Sequence, residues 1–230
     1  MKKKYKIIIA CDTTNPKKIA NIISSSKCKD LDIIYKVGLE FFYSRNGRKF
    51  LSNLKHVKIF LDLKLNDIPN TCASAIRSLK DLKNIHYLTV HMNGGYKMVK
   101  AVKKESKKIN KKLKVLGVTI LTSLANSSVK EIGYSKPVNE LVRRQAKLAR
   151  KAGLDGIVCS GHEVKLIKKI CKRMEIITPG IRLKGDPLSD QKRVMSPKEA
   201  FVNGSKAIVI GRSITKGNIK NNIQKLIKSL

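Results

Sequence analysis

The sequence has no tryptophan, few other aromatic residues and few acidic ones. Aromatic residues make up 5% of its 230 residues, so few flat side chains are available to stack against the bases of a single-stranded nucleic acid. No apolar run approaches the roughly 18 to 20 residues that a membrane-spanning helix needs. The composition therefore argues against a single-strand binder and against a membrane protein.

Secretion signals and disulfide patterns are also missing. The basic residues 1–6 are followed only by the short apolar run 7–10, which is too brief for the hydrophobic part of a signal peptide. The five cysteines are scattered and contain no CxxC pair. We expect reduced thiols in a cytoplasmic protein. Cys159 and His162 alone do not make a metal site.

The formal net charge of +34 reflects 50 Lys and Arg against 16 Asp and Glu. Three explanations are open: nucleic-acid binding through counterion release, steering of an anionic substrate into a positive cleft, and compositional drift. The lysines are dispersed and are not gathered into one arm interleaved with aromatics. This dispersal favours drift, so we do not expect a nucleic-acid partner.

Short apolar runs alternate with helical periodicity along the chain. The runs predict eight strands at residues 6–11, 33–37, 57–63, 86–91, 114–120, 155–159, 175–178 and 206–210. Between them, residues 138–152 repeat apolar positions at i, i+3 and i+4 and stop at Gly153. Asn15-Pro16 and Ser196-Pro197 each place a capping residue before a proline at the first helical position.

Eight strand-helix units in one chain of this length predict an α/β fold, a (β/α)8 TIM barrel with a single domain over residues 1–230. The runs are apolar on both faces, as parallel strands covered by helices are. An open doubly wound sheet stays the alternative, because periodicity cannot show closure. In a barrel, chemistry belongs at the carboxyl ends of the strands.

Charged residues stand at those ends. Asp62 and Lys64 alternate with leucines near the end of the third run, so both are expected to point into the barrel mouth. The second run carries Lys36, the first ends near Asp12 and the fourth ends at His91. Inward charges need compensation, which alternating Lys and Asp residues supply.

Taken singly, each of these residues has an ordinary structural explanation. Lys36 could extend its ammonium to solvent, Asp12 and Asp67 could be turn or cap residues, and His91 could bond the backbone beside two glycines. Four strands that end in unlike charges on one rim are an improbable accident of capping. The combination therefore indicates a preorganised electrostatic site, with His91 in a supporting role.

The last two strands are followed by residues suited to phosphate. Arg182 ends the segment ITPGIR, and Gly211-Arg212 follows the eighth run in IVIGRS. Barrels commonly bind phosphate in these two loops, through backbone N–H groups at glycine. The arginine fork matches phosphate oxygens, and Gln191 on the long preceding loop could close over the same group.

The segment 62–71, DLKLNDIPNT, resembles the D-x-K-x-x-D-I-P-N-T signature of orotidine 5′-monophosphate decarboxylases. The resemblance covers nearly the whole chain, through YKVG, VHMNGG, ILTSL, DGIVCS, ITPGIR, SDQKRVMSP and IVIGRSIT. The sequence is similar to the shorter, bacterial-type members. This resemblance implies a carboxy-lyase that converts orotidine 5′-monophosphate (OMP) to uridine 5′-monophosphate (UMP) in pyrimidine biosynthesis, without cofactor or metal.

The resemblance also implies a role for each matching residue. Lys64 would donate a proton to C6 of the pyrimidine, with Asp62 beside the leaving carboxylate. Asp12 and Lys36 would hold the ribose hydroxyls. The base would contact Thr122 and Ser123, and the 5′-phosphate would contact Arg182, Gln191, Gly211 and Arg212.

A homodimer follows from the same resemblance. Asp67 would belong to the neighbouring subunit's site, where it counts among the catalytic residues, and Thr71 would help to bind ribose across the interface. Two rivals stay open. One is a Mg²⁺-dependent sugar-phosphate decarboxylase or aldolase, which shares the D-x-K-x-x-D pattern. The other is a basic nucleic-acid-binding barrel with a vestigial site.

Overall fold

Eight parallel strands close into a barrel in the computed structural model, which describes residues 4–186 and 194–230. Each strand pairs with the next along the chain, and the last pairs with the first. This closure confirms the (β/α)8 barrel and excludes the open sheet. The strands are β1 Tyr5–Ala10, β2 Leu31–Gly38, β3 Ile59–Leu65, β4 Ile85–His91, β5 Lys114–Val118, β6 Gly156–Val158, β7 Glu175–Thr178 and β8 Ala207–Ile210.

Helices follow the strands and form the outer layer. They are α1 Pro16–Ser25, α2 Leu39–Phe42, α3 Gly47–Asn53, α4 Pro69–Arg77, α5 Gly95–Ile109, α6 Asn126–Glu131, α7 Val138–Ala152, α8 Val164–Ile170, α9 Pro197–Asn203, α10 Arg212–Thr215 and α11 Ile219–Lys228. The predicted capping residues are confirmed. The Asn15 side chain accepts the N–H groups of Lys17 and Lys18, and Ser196 accepts that of Glu199. Helix α7 ends where Gly153 adopts a φ of 75°.

The apolar core has two parts because strand side chains alternate between the two faces of the barrel wall. The larger part lies between the strands and the helices and includes Leu61, Leu63 and Leu88. The smaller part fills the barrel interior with Ile8, Ala10, Ile34, Phe60, Tyr87, Leu116, Ile177, Ala207 and Val209. Apolar side chains therefore fill the barrel interior on the amino-end side of the predicted charged residues Asp12, Lys36, Asp62 and Lys64.

An ionic cluster lies among residues at or near the amino ends of the strands. The Tyr87 hydroxyl donates to Glu175 Oε2 at 2.6 Å and accepts from Lys6 Nζ at 2.8 Å. Lys114 also pairs with Glu175. Burial raises the pKa of Tyr87, and the hydrogen bond to Glu175 raises it further. The four side chains of this cluster thus satisfy one another's polar atoms. They lie at the end of the barrel opposite the carboxyl ends of the strands.

Several strand ends differ from the predicted ones. Strand β1 ends at Ala10, so Asp12 lies two residues beyond it, although the Cys11 N–H still bonds the Lys36 carbonyl at 2.9 Å. Strand β3 starts and ends two residues later than predicted, which places Lys64 inside it. Strand β5 ends at Val118, two residues early. Hydrogen-bond pairing with the neighbouring strands determines where each strand starts and ends. A run of apolar residues does not indicate that pairing, so the predicted strand ends differ.

None of the helices in the described parts of the chain is long and apolar enough to cross a bilayer. No two of the five cysteines, which all lie in those parts, form a disulfide. Burial raises the pKa of Cys11 to about 12. The cytoplasmic location stays a prediction.

Candidate active site

A cavity of about 250 Å³ opens at the carboxyl ends of the strands. One part of its wall is apolar and is formed by Phe60, Val118, Ile120, Val158 and Val209, among others. The remaining wall brings together eight of the predicted site residues: Asp12, Lys36, Asp62, Lys64, Thr122, Arg182, Gly211 and Arg212. The barrel therefore gathers, in one cavity, side chains that lie up to 200 residues apart in sequence.

The cavity contains an alternating row of two carboxylates and two ammonium groups. Lys36 Nζ lies 3.4 Å from Asp12 Oδ1 and 3.4 Å from Asp62 Oδ2, and Lys64 Nζ lies 2.9 Å from the same Asp62 oxygen. The Lys36 and Asp62 side chains are only 14% and 11% exposed. Asp62 is thus a buried carboxylate that bridges two cations, which keeps both in fixed positions.

Charge compensation outweighs burial at this row. Burial alone raises the pKa of Asp62, but Lys36 and Lys64 lower it, and the net shift is downward. Burial likewise lowers the pKa of Lys36, while Asp62 and Asp12 raise it, and the net shift is upward. Both groups are therefore charged at neutral pH, and each charge depends on its neighbours because isolated buried ions are costly.

Lys64 adopts a left-handed backbone conformation, with a φ of 48°. For a residue with a side chain this costs roughly 1–2 kcal/mol, so the surrounding structure must hold it. The β3–β4 ladder passes from the pair Leu61 and Leu88 directly to the pair Leu65 and Val90. Residues 62–64 therefore form a bulge, and bulges commonly re-aim a side chain next to an active site.

Arg182 lies in the loop after β7, Gly211 follows β8 directly and Arg212 is the first residue of α10, which are the two regions predicted for phosphate binding. Near Arg182 the backbone is paired with residue 195, because Arg182 N–H bonds the Met195 carbonyl and Met195 N–H bonds the Gly180 carbonyl. Helix α10 starts directly after Gly211. Gln191 lies outside the described residues.

Asp67, Thr71 and Ser123 do not line this cavity. Asp67 is exposed on the segment between β3 and α4, and its carboxylate accepts the N–H of Ile68 at 2.6 Å. Thr71 is exposed in the first turn of α4. Ser123 lines a neighbouring depression that shares Thr122 with the main cavity. The structure of a single chain thus separates these three residues from the row of charges.

His91 ends β4 beside Lys64. Burial and the Lys64 charge both lower its pKa, and its Nδ1 atom has no hydrogen-bond partner among the described residues. Within residues 4–186 and 194–230, no group of three or more His, Cys, Asp or Glu side chains could hold a metal ion. Cys159 and His162 therefore have no third ligand of these types in the described chain.

Comparison with known proteins agrees with this geometry. The profile of the orotidine 5′-phosphate decarboxylase / HUMPS family matches residues 5–225. The chain belongs to this family. A relative from Carboxydothermus hydrogenoformans, named orotidine 5′-phosphate decarboxylase, is 43% identical over 216 residues and covers 91% of this chain and 88% of its own. A Wolbachia relative of the same name is 43% identical over 227 residues, covering 97% of this chain and 98% of its own.

A solved structure shares the fold and much of the sequence. The crystal structure of orotidine 5′-phosphate decarboxylase from Lactobacillus acidophilus superposes with a TM-score of 0.85 at 34% identity, over 98% of this chain and 99% of the other. Membership of the orotidine 5′-phosphate decarboxylase / HUMPS family therefore rests on sequence and structure together.

Sequence reasoning missed two parts of this family member's site. The apolar wall was not predicted, because its residues belong to runs that look like ordinary core. Thr89 was also missed, although it is fully buried and contacts both Asp62 and Lys64. Thr89 lies two residues before His91 in β4, so both side chains point to the inward face of the strand. This two-residue spacing was the sequence feature that could have identified Thr89.

Proposed function

We propose that this chain decarboxylates OMP to UMP in pyrimidine biosynthesis, with Lys64 as the proton donor to C6. The observation that carries the proposal is the Lys64 ammonium held 2.9 Å from the buried Asp62 carboxylate in a cavity that also contains two arginines. Family membership supports the same reaction.

The reaction breaks the C6 to carboxylate bond and leaves the electron pair on C6, where the ring delocalises it poorly. A fixed ammonium beside that carbon stabilises the developing charge, and an N–H of Lys64 then supplies the proton that replaces the carboxylate. Solvent restores the proton to the amine. Asp62 holds the Lys64 ammonium in position before substrate arrives, so little reorganisation is needed during the step.

Substrate binding uses the rest of the cavity. Asp12 and Lys36 would hold the ribose hydroxyls, and Thr122 with Ser123 would contact the base. Arg182 and Arg212, together with the Gly211 backbone and Gln191, would bind the phosphate. Phosphate lies far from the reacting carbon, so its binding energy can position the substrate without direct participation in the chemistry.

We also propose a homodimer in which Asp67 and Thr71 complete the neighbouring subunit's site. Both residues are exposed in the isolated chain. Three large apolar side chains are exposed on the segments that follow β2 and β3: Leu39 in α2 at 47%, Tyr43 directly after α2 at 71%, and Ile68 directly before α4 at 67%. Exposed apolar side chains of this size are suited to burial between subunits.

The test of the activity is an ultraviolet absorbance assay with OMP, in buffer alone and with EDTA. We expect equal decarboxylation in both, with UMP and CO2 as products. No absorbance change would exclude the proposed reaction. Activity that EDTA abolishes would favour the Mg²⁺-dependent rival, and salt-sensitive binding to DNA or RNA without turnover would favour the nucleic-acid rival.

The test of the shared site mixes two inactive variants, Lys64→Ala and Asp67→Asn. After subunit exchange, half of the dimers are hybrids, and one of the two sites in each hybrid has both native residues, so about a quarter of the parent activity should return. The separate variants are the control. A mixture as inactive as its components, with exchange demonstrated, would place Asp67 in its own subunit's site or outside the site altogether.

A further inference from the structure

Thr89 connects the backbone and the side chains of the charged row. It lies on β4, is fully buried, and its Oγ1 accepts the backbone N–H of Lys64 at 2.9 Å. The same hydroxyl donates to Asp62 Oδ1 at 2.9 Å. The Thr89 hydroxyl oxygen thus satisfies the backbone N–H of Lys64. The same hydroxyl orients the Asp62 carboxylate, which in turn holds the Lys64 ammonium.

The strand register explains why this residue is placed there. Leu88 and Val90 pair with Leu61 and Leu65, so Thr89 is the single β4 residue opposite the three-residue bulge. A bulge leaves backbone groups without ladder partners, and the Thr89 hydroxyl supplies the missing acceptor for Lys64 N–H. Asp62 Oδ1 is directed to Thr89, which leaves Oδ2 for the ammonium groups of Lys36 and Lys64.

We propose that Thr89 is a positioning residue for the decarboxylation: its hydroxyl fixes the bulge that aims Lys64 and orients Asp62 between the two lysines. The inference rests on the proposed function for its kinetic readout, but the hydrogen-bond network itself can be tested without turnover. Thr89 does not line the cavity, so it acts through Lys64 and Asp62.

The groups that face the Asp62 carboxylate predict how its pKa responds. They are Lys36 from β2, Lys64 on its own strand and the Thr89 hydroxyl from β4. The Thr89 hydrogen bond favours the charged carboxylate, so its removal should raise the Asp62 pKa.

The test compares Thr89→Val, which removes the hydroxyl with little change of shape, with Thr89→Ser, which keeps it. The variant Thr89→Val loses the hydrogen bond to the charged Asp62 carboxylate and leaves that carboxylate oxygen and the Lys64 N–H unsatisfied, so it should lower kcat about 10- to 100-fold. KM for OMP and the affinity for UMP should change much less, because the phosphate contacts are intact. Thr89→Ser should stay within about threefold of the parent kcat, since it keeps the hydrogen bonds.

The matched control is Thr119→Val. Thr119 is also fully buried, but within the described chain its hydroxyl bonds the Val158 carbonyl alone, at 3.3 Å, so the loss of that hydroxyl should leave kcat unchanged. NMR of carbon-13-labelled aspartate should show a higher Asp62 pKa in Thr89→Val than in the parent.

Four outcomes would overturn the proposal. They are a folded Thr89→Val variant with parent kcat, an unchanged Asp62 pKa, an equal loss in Thr119→Val, or a folded Thr89→Ser variant that loses as much kcat as Thr89→Val. If Thr89→Val does not fold, a Thr89→Ser variant with parent kcat supports the proposal and one with a tenfold loss refutes it. If the parent does not decarboxylate OMP, the proposed function fails separately and the Asp62 pKa still tests the network.

Discussion

Replacing the buried Asp62 by asparagine should destabilise the protein far more than replacing an exposed aspartate by asparagine does. Among the carboxylates that the structure describes, Asp62 alone contacts both Lys36 and Lys64, and its side chain is 11% exposed. Removing one partner of a buried ion pair typically costs about 3–5 kcal/mol. Asparagine keeps an acceptor oxygen for the Thr89 hydroxyl, so we expect the lower end, about 3 kcal/mol.

The matched control is Asp81→Asn. Asp81 pairs with Arg48 at the surface, where the two side chains are 52% and 41% exposed. Exposed pairs of this type contribute about 0–1 kcal/mol. For a chain of this size, 1 kcal/mol corresponds to roughly 2–4 °C in Tm, so Asp62→Asn should lower Tm by about 6–12 °C and Asp81→Asn by at most about 4 °C.

The Asp62 effect should also depend on pH. Its folded-state pKa is below the ordinary value, so its contribution is fully present above the unfolded pKa of about 4 and is lost as pH falls through the folded pKa. Urea unfolding followed by circular dichroism should give a constant difference between parent and Asp62→Asn from pH 7 to pH 5. The difference should shrink below about pH 4. A stabilising role of the Asp62 charge is refuted if Asp62→Asn loses no more unfolding free energy than Asp81→Asn at pH 7, or if the difference from the parent grows on acidification.

Three further predictions concern other parts of the molecule. Arg212→Ala removes the proposed charge-assisted phosphate contact and should raise KM for OMP about 10- to 100-fold with little effect on the unphosphorylated nucleoside, and steady-state kinetics on both substrates measure this. Tyr87→Phe removes the hydroxyl between Lys6 and Glu175 and should cost about 1–2 kcal/mol in urea unfolding while kcat is unchanged, because the cluster lies away from the cavity. Gly153→Ala forces a side chain into a φ of 75° at the end of α7 and should cost about 1 kcal/mol by the same assay, although no atom lies within 4 Å of the added carbon.

The barrel was predictable because its elements are encoded locally. Apolar runs on parallel strands, the periodicity of α7, and the caps at Asn15 and Ser196 each need only a few neighbouring residues to be read. The alternation of side chains along β3 then placed Asp62 and Lys64 on one face. These local patterns therefore sufficed for the strand-helix units and for the members of the charged row, whereas closure of the sheet is shown by the pairing of β8 with β1.

What could not be predicted depends on pairing between distant residues. The bulge at residues 62–64 exists only in relation to β4, and the left-handed Lys64 follows from that register. Thr89 looks like any β-branched strand residue until its partners are known. Asp67 and Thr71 are exposed in one chain, and their predicted role depends on a second subunit that the sequence of one cannot display.

The most direct test of the proposed role of Lys64 in decarboxylation is kcat for the Lys64→Ala variant, measured together with the variant's affinity for UMP. We predict a fall in kcat of at least about 10³-fold, since both the proposed proton donor and its positive charge are lost, with UMP affinity changed much less. The control is Lys58→Ala, which removes an exposed lysine paired with Asp32. A folded Lys64→Ala variant that turns over OMP within about tenfold of the parent kcat would exclude Lys64 as the proton donor.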